Sequence, residues 1–453
     1  MVAGRSSRGT GTTSSGKPQQ APVADSSKCL PGFAQLHDLL HPLATGPRYC
    51  RLISRWQEFC GISRAGKPTY PVVHLYFQLS SALGSEVFFL FPVVVWLAYP
   101  LATPLITCLG CTLPLGQLVK DMCHLPRPPR IYNYTTDDTG TGSESTCAVK
   151  GPKGPKGDKG ALQQVQGVIH KLEGDFNTEY GMPSTHAMSG ALSFCVLRIL
   201  SHLSSCAAGG PGVDGQVFLL GLPVGHALVG IAITASVCCS RLYMGVHSLL
   251  DITAGLSLAA TAQYALSRYE QTISAFVYQD ARGLWVPPLA CAAFILFYPR
   301  VTHAWSASYS TASELFGLWL GISLSVHLAE NLLPAVAEDL RAASMVADSC
   351  RSDVGVAQPE FWMLVCRLAL GGVLVAIGRT AAKNFFFATF AFCQRVGLSA
   401  PVPAAQRLDT EGQPVPARRA YAVEIPARIA TMVATCMLCV LGVPLLWRLL
   451  SMV

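Results

Sequence analysis

The sequence predicts an all-α, polytopic helical bundle embedded in a membrane, and three observations carry that expectation. Only 13% of the 453 residues are charged while 51% are hydrophobic, where an ordinary soluble domain has about a quarter charged. Mean hydropathy is +0.39. The apolar residues also gather into runs long enough to cross about 30 Å of hydrocarbon.

Taken in order, residues 1–45 read as a disordered N-terminal segment. Met1 to Ser27 is rich in Ser, Gly, Thr and Pro with scattered Arg and Lys, too polar to bury a core. It lacks the apolar stretch of a signal peptide, and its Met-Val start excludes N-myristoylation. Residues 46–70 hold an amphipathic helix. Leu52, Ile53, Trp56, Phe59 and Cys60 recur at helical spacing opposite Arg51, Arg55 and Gln57. Such a helix either lies in the membrane interface or packs on the rest of the protein.

From Pro71 the spans begin, with a core expected over 71–270 and additional transmembrane helices over 271–453. Spans are read near 87–101, 101–119, 183–203, 217–239, 247–266, 284–297, 315–333, 361–377 and 429–449, giving eight to ten crossings. A polar loop occupies about 120–182. Within it, Gly151 to Gly160 forms three collagen-like triplets. A triple helix needs many more repeats and three chains, so the segment reads as a flexible insertion.

The net charge of +7 sits in loops and the N-terminal part, where it suits anionic headgroups, and no nucleic-acid-binding motif is present. Seventeen cysteines do not imply a disulfide framework. Cys108, Cys111, Cys195, Cys238, Cys239, Cys436 and Cys439 lie in apolar stretches, where Cys acts as a small buried hydrophobe. The Cys108/Cys111 spacing inside such a run argues for structure over redox or metal chemistry. No segment specifies an oligomeric state.

Three polar clusters lie where loops meet spans. The first is Lys120 with Arg127-Pro128 and Arg130. Alone it reads as headgroup contact, or as a phosphate site if partners come from elsewhere. The second runs from Glu179 to Gly190 and contains Pro183-Ser184-Thr185-His186. Pro183 suits a first helical turn, and free N–H groups with the Ser184 hydroxyl make an anion site there; a plain helix cap is the bland alternative. The third is Ser240-Arg241, His247 and Asp251. His247 and Asp251, four apart, share a helix face. A carboxylate holding one imidazole nitrogen leaves the other free to attack. Ionisable residues in or beside spans are costly, which makes this cluster a site by default, against the alternative of a structural charge pair.

The first two clusters share one loop, and two inferred spans separate the second from the third. All three therefore fall on one membrane face. The ordered pattern Lys-x6-Arg-Pro, Pro-Ser-x-His, Ser-Arg-x5-His-x3-Asp brings together three cations, two histidines and a carboxylate.

This pattern resembles the three-part signature of the type 2 phosphatidic acid phosphatase (PAP2) superfamily. The stretches from Glu179 to Gly190 and from Ser240 to Ile252 resemble the sphingosine-1-phosphate phosphatases within it, including Thr185 where the wider superfamily favours Gly. Weaker similarity reaches 49–61, 314–331 and 424–428. The chain departs from the family at the 150–160 insertion and at Tyr309-Ser310-Thr311, where the family pattern has Arg-Gly-Asp.

The resemblance implies a multi-pass enzyme of the endoplasmic reticulum membrane that needs no metal or cofactor. It would release phosphate from sphingosine 1-phosphate or its dihydro form, with the lipid and the bilayer as partners. His247 would be the nucleophile, Asp251 its orienting partner and His186 the general acid and base. Lys120, Arg127, Arg241, Ser184 and Thr185 would bind the phosphate. The resemblance also implies a lumen-facing site, whereas the lysines and arginines of the 120–182 loop point to the cytosol. The alternatives are a broader lipid phosphatase acting on phosphatidate, or a transporter or scaffold that keeps the pocket without turnover.

Overall fold

The computed structural model describes residues 32–85, 94–99, 102–135, 164–173, 179–207, 218–219, 222–299, 306–344, 361–398 and 421–452. The Met1–Ser27 tail and the triplets of 151–160 lie outside them. Residues assigned to the disordered segment are in part helical: α1 covers Ala34–Thr45. The correction has a simple cause. Phe33 and Leu40 pack on Cys123, Leu125 and Met182 beneath the polar loops, and that apolar contact stabilises a segment too short to be helical alone.

Helix α2, Pro47–Phe59, begins with Pro at its first position, where the missing N–H costs nothing. Its inward face is Cys50, Ile53 and Gln57, and Leu52 and Phe59 are exposed. Gln57 thus belongs to the buried face, not to the basic one. Its amide donates to the carbonyls of His170 (2.6 Å) and Tyr243 (2.8 Å) and accepts from His170 N–H (2.9 Å). Apolar patterning could not foresee a glutamine spent on loop carbonyls.

The membrane bundle follows. Helices α3 (Pro71–Ser85), α4 (Ala102–Cys123), α5 (Thr185–Ala207), α6 (Val224–Tyr243) and α7 (Leu249–Arg268) form the first half. Then come α8 (Val286–Phe297), α9 (Ala307–Leu332), α10 (Pro334–Ala343), α11 (Phe361–Arg395), α12 (Tyr421–Met437) and α13 (Val443–Leu449). A π-helical turn over Leu438–Gly442 joins α12 to α13.

Among the described residues five helices are long and apolar enough to cross a membrane, six if the bent pair 272–278 and 283–297 is one span. The five are α6, α7, α9, most of α11, and α12 with α13. The span expected at 87–101 lies mostly outside the described residues, so the eight to ten expected crossings are not all represented among them. Helices α4 and α5 have spanning length but are not among the five; they carry Lys120 and His186.

Two features hold the halves together. One is a core in which Leu105, Leu109 and Leu113 of α4 meet Leu315, Leu318 and Ile322 of α9 and Met432 and Cys436 of α12. The other is Asp121, next to Lys120. It accepts hydrogen bonds from Tyr298 Oη (2.7 Å) and Ser306 Oγ (2.7 Å). Farther along, Glu314 of α9 pairs with Arg379 of α11 and Arg428 of α12, both at 2.7 Å. Arg428 also pairs with Glu424 at 2.9 Å. The Tyr309-Ser310 departure is absorbed structurally: Tyr309 stacks on Tyr298 at 4.2 Å, and Ser310 Oγ donates to Glu424 (2.8 Å).

The polar loop is not wholly irregular. Strands β1 (Ile131–Thr135) and β2 (Gln164–Val168) pair antiparallel, with Ile131 opposite Val168 and Thr135 opposite Gln164. Tyr132 buries itself with Cys50, Ile53 and Ile169, which seats the ribbon on α2. A second two-residue pair, Phe218–Leu219 with Leu222–Pro223, precedes α6, so that span starts later than its apolar run.

Candidate active site

Lys120, Arg127, His186, Arg241, His247 and Asp251 converge at one end of α4, α5, α6 and α7, whereas Arg130 of the first cluster is exposed. Lys120 comes from the last turn of α4. Arg127 follows in the extended exit of that helix. His186 lies in the first turn of α5, and Arg241 in the last turn of α6. Lys120, Arg241, His247 and Asp251 are each at most 1% exposed. Burying that much charge is costly unless it is paired, and here each charge has a partner.

His247 and Asp251 do not share a helix face as their spacing suggested. Helix α7 begins at Leu249 with Ser248 as its N-cap, so His247 precedes the helix. Asp251 is the third helical residue and closes a capping box. Its Oδ2 accepts from Ser248 N–H (2.7 Å), and Asp251 N–H donates to Ser248 Oγ (3.2 Å). The same Oδ2 lies 3.5 Å from His247 Nδ1. Asp251 Oδ1 is buried without a hydrogen-bond partner among the described residues.

On the other side of the ring, Nε2 of His247 is 3.3 Å from Arg127 Nη1. A guanidinium can only donate, so Nε2 accepts and the ring proton belongs on Nδ1, facing Asp251. Burial and then the nearby Arg127, Arg241 and Lys120 hold the His247 pKa well below its usual value. The imidazole is therefore neutral near pH 7, with a lone pair on the nitrogen that faces the cations.

Ser184 caps α5: its Oγ accepts from Ala187 N–H at 3.4 Å, and its own N–H donates to Asp251 O (2.9 Å). Pro183 thus lies before the helix, not in its first turn. Thr185 Oγ1 is 3.4 Å from Lys120 Nζ. His186 is covered by α3, since a Cβ on Gly84 would sit 3.1 Å from its Cδ2. Its Nε2 is buried without a hydrogen-bond partner among the described residues.

Sequence reasoning missed four contributors. Glu179 Oε2 bridges Lys120 Nζ (3.1 Å) and Arg127 Nη2 (3.0 Å). Glu173 Oε2 meets Arg241 Nη1 at 2.5 Å, and Ser81 Oγ of α3 accepts from the same nitrogen at 2.6 Å. Lys171 donates to the carbonyls of Pro128 (2.6 Å) and Gly245, tying three loops together. Burial, then Arg127 and Arg130, push its pKa down to about 7. The only advance signal was the presence of Glu173 and Glu179 in a basic loop.

Gly245 sets the approach to His247. Its φ is +69°, and a Cβ there would fall 2.4 Å from His170 O and 2.9 Å from Gln57 Nε2. Left-handed backbone costs other residues about 1–2 kcal/mol, before any clash. Gly245→Ala is expected to lower phosphate release more than tenfold and the melting temperature by several degrees. Unchanged thermal unfolding and turnover in detergent would show that this loop yields easily.

The helix ends gather three largely buried cations around a neutral imidazole, an arrangement that can hold a tetrahedral oxyanion. Residues 96–274 match the model of the PAP2 superfamily. The chain is 27% identical over 321 residues to the "Probable sphingosine-1-phosphate phosphatase" of Dictyostelium discoideum, covering 69% of this chain and 67% of that protein. It is 25% identical over 297 residues to "Sphingosine-1-phosphate phosphatase 1" of Rattus norvegicus, covering 64% and 56%. It is 29% identical over 226 residues to "Sphingosine-1-phosphate phosphatase 2" of Mus musculus, covering 47% and 49%. The chain thus spans about half to two thirds of the length of these relatives. No solved structure matches it.

Proposed function

We propose that the chain is a phosphohydrolase that converts sphingosine 1-phosphate and dihydrosphingosine 1-phosphate to the sphingoid base and phosphate, through a phosphohistidine on His247. One observation carries this reading. Arg127 Nη1 and Asp251 Oδ2 flank the two nitrogens of His247, at 3.3 and 3.5 Å. Cation and nucleophile are thereby directed at the same phosphorus. The names of the relatives support the sphingoid substrate.

Lys120, Arg127 and Arg241 take the non-bridging oxygens, where charge shifts in the transition state. His247 Nε2 forms the N–P bond as the bond from phosphorus to the lipid oxygen breaks. His186, protonated once the phosphate dianion lies beside it, gives its proton to the departing alkoxide. The resulting neutral His186 takes a proton from water as that water attacks phosphorus and the N–P bond breaks. Asp251 steadies the charge that His247 carries between the steps. The proposed location is the endoplasmic reticulum membrane, where the sphingoid tail stays in the bilayer and only the headgroup enters the site.

The test is phosphate release from sphingosine 1-phosphate and from phosphatidate by the full chain in detergent with EDTA. Preferred, chelator-insensitive turnover of the sphingoid lipid supports the proposal. Better turnover of phosphatidate would replace the substrate, and release from neither would favour a transporter or scaffold.

A pH profile gives a further prediction. Protonation removes the attacking lone pair, and the His247 pKa lies well below 6.5 in the free protein. After allowance for the second ionisation of the substrate, kcat/KM is expected not to fall as pH drops through 6.5, and to decline only in more acid buffer. An acid limb centred at 6.5 would mean that the attacking group is a solvated imidazole.

A further inference from the structure

The three anion-binding cations are matched by three carboxylates: Lys120 and Arg127 share Glu179, Arg241 holds Glu173, and Asp251 faces His247. Lys171, with a pKa near 7, adds only a fractional charge. The free site is therefore close to neutral. A phosphate dianion entering a buried, near-neutral site leaves excess negative charge there, and like charges at close range are strongly disfavoured.

Glu173 and Glu179 also hold the atoms that a phosphate must contact. To bind through these atoms, it must take Lys120 Nζ, Arg127 Nη2 and Arg241 Nη1 from the carboxylates. The pairs are arranged in depth. The Lys120, Arg127 and Arg241 side chains are 1%, 11% and 0% exposed, whereas those of Glu179 and Glu173 are 17% and 30% exposed. Once displaced, the carboxylates lie on the outer side of the phosphate, where the rest of the headgroup must be.

We propose that Glu173 and Glu179 form a subsite for a primary ammonium carried by the substrate next to its phosphate. The subsite rests on the sphingoid-phosphatase reading and deepens it. A sphingoid base 1-phosphate bears its amine on the carbon beside the ester carbon, so phosphate and ammonium enter together. The ammonium restores the neutrality that the phosphate disturbs, and the displaced carboxylates exchange one cation for another. Phosphatidate and N-acylated sphingoid phosphates bring no such charge. The same carboxylates hold the empty cradle together and repel anions that lack an ammonium. Selectivity of this kind needs a penalty for the wrong ligand as well as a contact for the right one.

The experiment compares kcat/KM for sphingosine 1-phosphate with that for its N-acetyl derivative, using the full chain in detergent. It covers the wild type, Glu173→Gln and Glu179→Gln, each measured across alkaline pH. The wild type is expected to prefer the free amine at least tenfold, and the preference should fade as pH rises through the pKa of the substrate amine. Each Gln variant should lower the ratio of the two kcat/KM values tenfold or more, because the variants keep shape but lose charge. Equal losses on both lipids with an unchanged ratio would show that the carboxylates merely brace the cations, and would overturn the subsite. Should a variant fail to fold, a wild-type preference that ignores amine ionisation overturns it as well. Release from neither lipid by the wild type would overturn the phosphatase reading itself, a result distinct from either.

Discussion

Replacing His247 with alanine should reduce phosphate release from sphingosine 1-phosphate by at least about 10⁴-fold, the scale of loss when the member of a catalytic unit that makes the covalent bond is removed. The structure gives two reasons for so large an effect. Nε2 of His247, the proposed nucleophile, is the nitrogen that Arg127 reaches, at 3.3 Å, and no other described side chain of the cluster offers a neutral nitrogen beside that guanidinium. The remaining cations would still bind phosphate, so the variant should retain substrate affinity. Trapping makes the expectation sharper. Phosphohistidine survives alkali and is lost in acid, so a labelled headgroup should leave alkali-stable label on the wild-type chain and none on His247→Ala. A His186→Ala chain should lose about 10²–10⁴-fold on the lipid, the usual contribution of a general acid or base. Given an aryl phosphate, whose leaving group needs no proton, it should accumulate the labelled intermediate. Label persisting on the His247→Ala chain would move the nucleophile elsewhere.

How far the sequence could be read depended on what kind of force placed each residue. Lys120, Arg127, His186, Arg241, His247 and Asp251 were legible because ionisable groups beside apolar runs have few inexpensive positions, and the order of loops and spans brings their ends to one face. The helices were legible wherever a run was uniformly apolar; α9 and α12 also extend past their runs, to Ala307 and Tyr421, where Ser306 and the Glu424–Arg428 pair supply polar ends. Contacts made by backbone carbonyls were not legible. Gln57 looked like part of a polar face because nothing in its neighbours announces that His170 and Tyr243 need donors. His247 looked helical by its spacing, although a Ser cap placed it one residue outside the helix. The ion pairs of Glu173 and Glu179 were hidden for a different reason. Their role depends on cations more than fifty residues away in sequence, and no local pattern records such pairing.

Asp251 offers the cleanest separation of structure from chemistry, because one carboxylate oxygen serves both. Its Oδ2 accepts from Ser248 N–H at 2.7 Å and lies 3.5 Å from His247 Nδ1. In Asp251→Asn the amide oxygen can still accept from Ser248, so the start of α7 is kept, and a buried charge is removed at the same time. The melting temperature should therefore be no lower than that of the wild type. The amide cannot balance an imidazolium, however. Turnover should fall by about 10³–10⁴-fold, as when a triad carboxylate is made an amide. Asp251→Ala removes the cap too, and should add a loss of about 0.5–2 kcal/mol in stability. Thermal unfolding and initial rates measured on both variants decide between the roles. If activity falls only in step with stability, Asp251 is a cap that happens to lie near a histidine. If Asp251→Asn is stable and inert, the carboxylate sets the proton position on His247, and the capping box is the device that holds it there.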